Sequence, residues 1–277
     1  MKVFYKLNEN YFIYGRIALG IEYIGSEYFG WQRLKQYNTI QQTIEEALKI
    51  FTGHSITLKA SSRTDSGVHA TRQIAQFDSY ICRSQKSWVM GINSNLPSDI
   101  RIRWAVKVSE KFNSRKAIAR RYRYLIYNNF IPSALIRNTM SWHTTPLNIN
   151  YMHIAAQSLV GKHDFTSYRS SSCQSINTIK ILHFIEVRRY GPILIIDIQA
   201  TSFLHNMVRN IVGVLLEIGD GRRSVNWCKE ILLKKNRKEA GITAKAQGLY
   251  LVDVIFNKEF QNQLPIEHIG PPHLFYI

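Results

Sequence analysis

Residues 39–53 read TIQQTIEEALKIFTG, and their period decides the fold class. Ile40, Ile44, Ala47, Leu48 and Phe51 recur every three or four residues, as on one face of a helix, and Gly53 stops the run. Thr39 and Gln42 have the spacing of a capping box. Both flanks lose this period. Upstream, RIALGIEYIG (16–25) is apolar and ends in glycine, a strand pattern. Downstream, SITLKA (55–60) and TRQIAQFDS (71–79) read as strands on either side of a turn, 84–95 as a helix and IRIRWAVKV (100–108) as a strand. The order strand, helix, strand, turn, strand, helix, strand predicts an α+β unit with helices on one face of a largely antiparallel sheet.

The second half repeats this theme loosely. RYRYLIYNN (121–129) is a strand pattern and NYMHIAAQSLVG (150–161) a helix ending in glycine. NTIKILHFIEVRRYG (177–191) and PILIIDIQATSF (192–203) form a hairpin pattern turning at Gly191-Pro192. LHNMVRNIVGVLLEIGDG (204–221) has the broad apolar face of a buried helix. SVNWCKEILLKKNRK (224–238) places its cations near the C-terminal end, where the helix dipole favours them. GLYLVDVIF (248–256) closes with a strand. The polar stretch SEKFNSRKAI (109–118) marks the boundary, so an N-terminal α+β domain over 1–112 and a C-terminal one over 113–277 are expected.

Composition narrows the function. Hydrophobic residues make up 45% of the 277, enough for a substantial core, and no apolar run is long enough to span a bilayer. The opening stretch MKVFYKLNENYFIYGR has no signal-peptide core, so a soluble, unexported protein is expected. Cys82, Cys173 and Cys228 form no CxxC pair and suit a reducing cytoplasm. His268 and His273 stand in a Pro-Gly-rich tail without metal-site spacing, and neither a Walker loop nor GxGxxG occurs. No metal, nucleotide or dinucleotide is expected. The formal charge of +17 suggests a polyanion partner, although lysine enrichment from codon bias would raise the same total. Arrangement is more informative. SRKAIARRYRY (114–124) sets Arg115, Arg120, Arg121 and Arg123 among Tyr122 and Tyr124, the mixture with which proteins hold phosphates and stack bases. An exposed basic strand face would look the same.

ASSRTDSGVHA (60–70) places one aspartate, Asp65, in turn chemistry between Thr64 and Ser66-Gly67. By itself this is an ordinary turn between strands. Together with RIALGIEYIGSEYFGWQR, ARRYRYLIYN, DFTSY, FLHNMVRNIVG and TAKAQGLYL, in that order, it resembles the tRNA pseudouridine synthase A family from about Arg16 to Phe256.

The resemblance implies two ferredoxin-like halves sharing a continuous antiparallel sheet with a central cleft, a homodimer, and a tRNA substrate. It further implies isomerisation of uridine to pseudouridine at positions 38 to 40 of the anticodon arm, without a cofactor. It puts the catalytic carboxylate on Asp65 and the active-site tyrosine on Tyr122, with Leu249, Lys245 and Arg209 in matched motifs. Leu249 would be a pocket wall. Arg209 would partner a carboxylate or RNA. Arg63, two residues from Asp65, projects to the same side in an extended turn. It would either pair with that carboxylate and fill the space of an extruded base, or contact a phosphate.

Two departures stand out. Ser61-Ser62 replaces the family's small Ala-Gly pair, and Ile24 replaces an aspartate in Glu-Tyr-Asp-Gly. Two rival classes fit less well. A non-catalytic RNA-binding protein with RRM-like halves should carry an RNP1-like run, which is absent, and a metal-dependent nuclease should gather carboxylates, which here are sparse.

Overall fold

The computed structural model describes residues 12–171, 173 and 175–266; His268, His273 and most of the opening stretch lie outside these. The architecture is α+β, and the described chain divides into two compact units. One holds the residues up to Ile118 together with those from Leu251 onward, and the other runs from Ala119 to Tyr250. Where the sequence suggests one boundary, the chain passes between the units twice. The first passage is at the edge of the polar 109–118 stretch, the second inside the closing strand.

The first unit opens with β1 (Phe12–Tyr23), α1 (Ile40–Thr52), β2 (Lys59–Ala60), β3 (His69–Ser84), α2 (Gln85–Asn93) and β4 (Ile100–Lys107). β1 lies between β4 and β3, antiparallel to both, with Leu19 opposite Ala75 on one side and Ala105 on the other. A central strand is covered on both faces, which is why RIALGIEY is apolar almost throughout instead of alternating. Ile17, Ala18, Leu19 and Ile21 are all fully buried. At Gly20 the indole of Trp104 occupies the place a side chain would take.

α1 buries Ile40, Ile44, Ala47 and Leu48 on one face, and Gly53 ends it in the left-handed conformation with φ +79°. The capping box is not formed. Thr39 makes no side-chain cap bond, and Gln42 donates to Glu46 instead. The first free N–H groups of the helix, those of Ile40 and Gln41, are instead taken by the carbonyls of Gly30 and Trp31. SITLKA is also shorter as a strand than its pattern suggests. Glu45 and Gln41 of α1 accept and donate to the main chain of Leu58, so ladder pairing starts only at Lys59.

The second unit contains β5 (Ala119–Asn128), β6 (Ser141–His143), α3 (Ile149–Gln157), β7 (Gly161–Asp164), β8 (Ile179–Tyr190), β9 (Ile193–Ala200), α4 (Met207–Gly219) and α5 (Trp227–Lys234). The order β5-β9-β8-β7 is antiparallel at every step, and β6 runs parallel to β5. α5 ends at Lys234, four residues short of the 224–238 helix pattern, and Lys235 turns left-handed with φ +49°. In α4 even Asn210 is fully buried, its amide donating to the Tyr168 carbonyl and accepting from Thr243 and Arg237. β10 (Leu249–Ile255) and α6 (Lys258–Gln261) end the described chain, β10 lying beside β3 in the first unit. Among the described residues no helix is long and apolar enough to cross a membrane.

Candidate active site

In the first unit the segment 61–68, between β2 and β3, carries Arg63 and Asp65. Its burial alternates. Ser62 and Thr64 are buried, Arg63 is exposed and Asp65 half-buried, as expected of extended chain with one side toward the core. The backbone here is pinned at successive points. The Thr64 carbonyl accepts from the Trp31 N–H at 3.0 Å, and its hydroxyl meets the buried Tyr23 hydroxyl at 2.7 Å. Past the carboxylate, the Val68 N–H returns to the Asp65 carbonyl, and Gly67 supplies the φ of +77° this turn requires. The Gly67 N–H and the Ser66 hydroxyl both donate to the Tyr28 carbonyl.

Two glycines allow that contact. Gly30 has φ +85°, and a Cβ there would stand 2.7 Å from the Thr64 carbonyl oxygen. A Cβ at Gly25 would collide with the Val68 carbonyl. The Gly25 N–H donates to Nδ1 of fully buried His69, so that nitrogen carries no proton. Tyr28 anchors the same loop from its other end, its hydroxyl donating to Asp99 at 2.9 Å. Burial and that bond to Asp99 push the phenol well above its ordinary range. Tyr23, Gly25, Tyr28 and Gly30 lie within 16–33 and His69 within 60–70, and no local pattern marks any of them as a site residue.

The two departures from the family pattern are accommodated. The Ser61 hydroxyl donates to the Ile74 carbonyl, and Ser62 is buried without a hydroxyl partner among the described residues. Ile24 is exposed while its N–H donates to the Asp99 carbonyl, so the turn holds without an aspartate there.

In the second unit Tyr122 sits on β5 opposite Ile198, only 8% exposed, with the Phe203 ring edge-on at 5.1 Å. Tyr124 shares its face and is locked into the core. Its hydroxyl donates to the Lys245 carbonyl, Gly248 leaves room for its ring, and burial pushes its phenol up to about 12. Leu249 is buried at the start of β10, and the Lys245 side chain is exposed. Arg209 is tied down within its own unit, donating to the Ala244 carbonyl and the Asn206 amide oxygen. It braces the 244–249 segment on α4.

The arginine cluster divides in a way the sequence does not reveal. Arg121 and Arg123 share one strand face, as alternation requires, and both grip Asp197 on β9 at 2.7–2.8 Å. Two guanidinium groups share this one carboxylate, so its charge offsets only one of theirs. Arg120 is half-buried, donates to the Thr201 carbonyl, and has its pKa lowered by burial. Arg115 and Lys116 are the exposed cations of this segment.

This geometry is that of an α+β protein with a half-buried carboxylate held on a loop, and comparison with known proteins assigns its class. A family model described as tRNA pseudouridine synthase matches residues 20–115 and 155–257, and the chain belongs to that family of isomerases acting on tRNA. Arg63, Asp65, Arg209, Lys245 and Leu249 fall inside the matched stretches, and Tyr122 between them. The chain is 45% identical over 257 residues to the tRNA pseudouridine synthase A of Vibrio campbellii, covering 92% of this chain and 97% of that protein. It is 47% identical to its counterpart from Actinobacillus pleuropneumoniae, with the same coverage. Among solved structures, a chain from the crystal structure of a Cbf5-Nop10-Gar1 complex aligns with a TM-score of 0.33 at 9% identity. That alignment covers 84% of this chain and 57% of the other, too distant a likeness to bear on the fold.

Proposed function

We propose that this chain isomerises uridine to pseudouridine at positions 38, 39 and 40 of the tRNA anticodon arm, as a cytoplasmic homodimer and without a cofactor. The observation that carries the reading is the Asp65 segment. It holds a half-buried carboxylate on a backbone pinned before and after it, in a chain of this family.

The reaction breaks the bond from C1′ to N1, turns the uracil and rejoins it through C5, so the C5 proton must leave. One carboxylate can serve, either by attacking a carbon or by stabilising a cationic sugar and then taking a proton. Asp65 has that role. The target base is stacked in the RNA and must be extruded, at a cost of a few kcal/mol. Exposed Arg63 is suited either to filling the vacated stack or to a phosphate, and Leu249 to an apolar pocket wall. Tyr122 presents its ring to the uracil and its hydroxyl to the departing proton. Mapping carbodiimide-reactive uridines in tRNA treated with the pure protein tests the positions, and modification elsewhere in the tRNA would contradict them.

Tyr122→Phe separates the two roles of that residue. Stacking contributes about 1–3 kcal/mol per base and survives in phenylalanine, so tRNA affinity stays near wild type. Single-turnover product formation slows by more than the roughly tenfold that a 1.4 kcal/mol barrier change gives. A wild-type rate would reduce Tyr122 to a base platform.

The cations make a second prediction. Arg115→Ala lowers the slope of log affinity against log salt by about 1, as loss of one phosphate contact does. Arg121→Ala leaves the slope nearly unchanged and lowers the melting temperature, because it strips a partner from Asp197. Equal slopes for wild type and Arg115→Ala would take that arginine out of the RNA interface.

A further inference from the structure

Gln73 is fully buried on β3, opposite Ile21 of β1. Pairing of β2 with β3 runs from Lys59 opposite Gln76 to Ala60 opposite Ala75. One residue further, the Ser61 N–H still reaches the Ile74 carbonyl at 2.8 Å, and there the ladder stops. At Ser62 the Gln73 amide replaces the missing strand partner. Its Nε2 donates to the Ser62 carbonyl at 2.7 Å, while its Oε1 accepts from the Ser62 N–H at 3.3 Å and the Ile74 N–H at 3.2 Å. One planar amide thus satisfies both main-chain groups of a buried residue at the point where the chain leaves the sheet toward Asp65.

We infer that Gln73 is a positioning residue for the isomerisation, setting the path of the 62–65 backbone; this rests on the functional reading above. The other anchors of the segment, at Thr64 and at the 65–68 turn, lie at or beyond the carboxylate's own neighbours. Gln73 controls the approach. Without it the Ser62 N–H and carbonyl are buried and unpaired, a cost the chain relieves by shifting toward water. A shift near 1 Å at a reacting group costs about a hundredfold in rate even when the substituted residue is remote from the chemistry. Binding through phosphates elsewhere on the molecule is untouched.

The test uses the full-length protein with two substitutions, assayed well below their melting temperatures on tRNA labelled with tritium at uridine C5. Gln73→Met keeps the length and removes all three bonds. It lowers kcat by roughly 10- to 100-fold with KM near wild type. Gln73→Glu keeps the acceptor but, when ionised, lacks the donor for the Ser62 carbonyl. A buried carboxyl readily takes up a proton and then regains an O–H donor. The ratio of its kcat to that of wild type therefore rises as pH falls. A merely structural role would lower the melting temperature of both variants and leave kcat at the assay temperature, and the pH ratio, unchanged. That result overturns the inference, as does a loss confined to KM. If Gln73→Met does not fold, the pH ratio of Gln73→Glu decides alone. Wild-type protein without turnover would instead refute the functional reading, and the inference with it.

Discussion

Asp65→Asn is expected to abolish isomerisation while leaving tRNA affinity close to that of the parent protein. The substitution keeps the size and shape of a half-buried side chain and removes only its charge and basicity. The main-chain bonds on either side of it, from Trp31 to Thr64 and from Val68 back to Asp65, do not depend on the carboxylate. The loss should be at least the roughly 10²- to 10⁴-fold that one acid–base group contributes, and larger if the carboxylate also forms a covalent intermediate. Affinity survives because it comes mainly from phosphate contacts. The measurements are single-turnover rates and filter binding with protein purified free of host enzyme. Appreciable turnover by the variant would move the chemistry to another residue.

Gly25→Ala is expected to have the second largest effect, and through backbone packing alone. The new methyl would collide with the Val68 carbonyl, a main-chain group held by the turn that follows Asp65. A rigid neighbour cannot swing aside as the end of a long side chain can. The loop at 24–30 and the segment at 64–68 must separate, weakening the bond from Gly25 N–H to His69 and those to the Tyr28 carbonyl. Overpacking of this kind costs about 1–3 kcal/mol, and the accompanying displacement beside Asp65 lowers kcat by about 10² or more. Thermal unfolding and single-turnover kinetics read the two effects separately. A variant with the parent's melting temperature and rate would show that the contact gives way freely and positions nothing.

The fold was legible wherever one element's own residues set its period. α1, the β8–β9 hairpin turning at Gly191 and the buried helix α4 all follow from spacing and from a stopping or turning residue. What sequence missed depends on partners far along the chain. Thr39 has the spacing of a cap but makes no cap bond, while the N–H groups of Ile40 and Gln41 go to the carbonyls of Gly30 and Trp31. β6 and β7, three and four residues long, are too short to show a period and exist through their pairing with β5 and β8. The arginine run looked like a phosphate surface because Asp197, the carboxylate that occupies two of its members, lies 74 and 76 residues away.

The site divides along the same line. Asp65, Arg63, Tyr122 and Leu249 were picked out by motif. Gly25, Gly30, Tyr23, His69 and Gln73 hold the Asp65 segment through contacts that no local pattern announces. A glycine in a loop reads as flexibility, whereas Gly25 and Gly30 make room for another stretch of backbone.

The most direct test of the central claim follows the proton that pseudouridine formation must expel. tRNA labelled with tritium at uridine C5 is incubated with the purified protein, and tritium released to water is counted against uridines converted at each position. The account predicts one tritium released per pseudouridine formed, confined to positions 38, 39 and 40, with Asp65→Asn releasing none while still retaining tRNA on a filter. Tight tRNA binding by the wild-type protein without tritium release would contradict it, and would make this chain an RNA-binding protein on an isomerase fold.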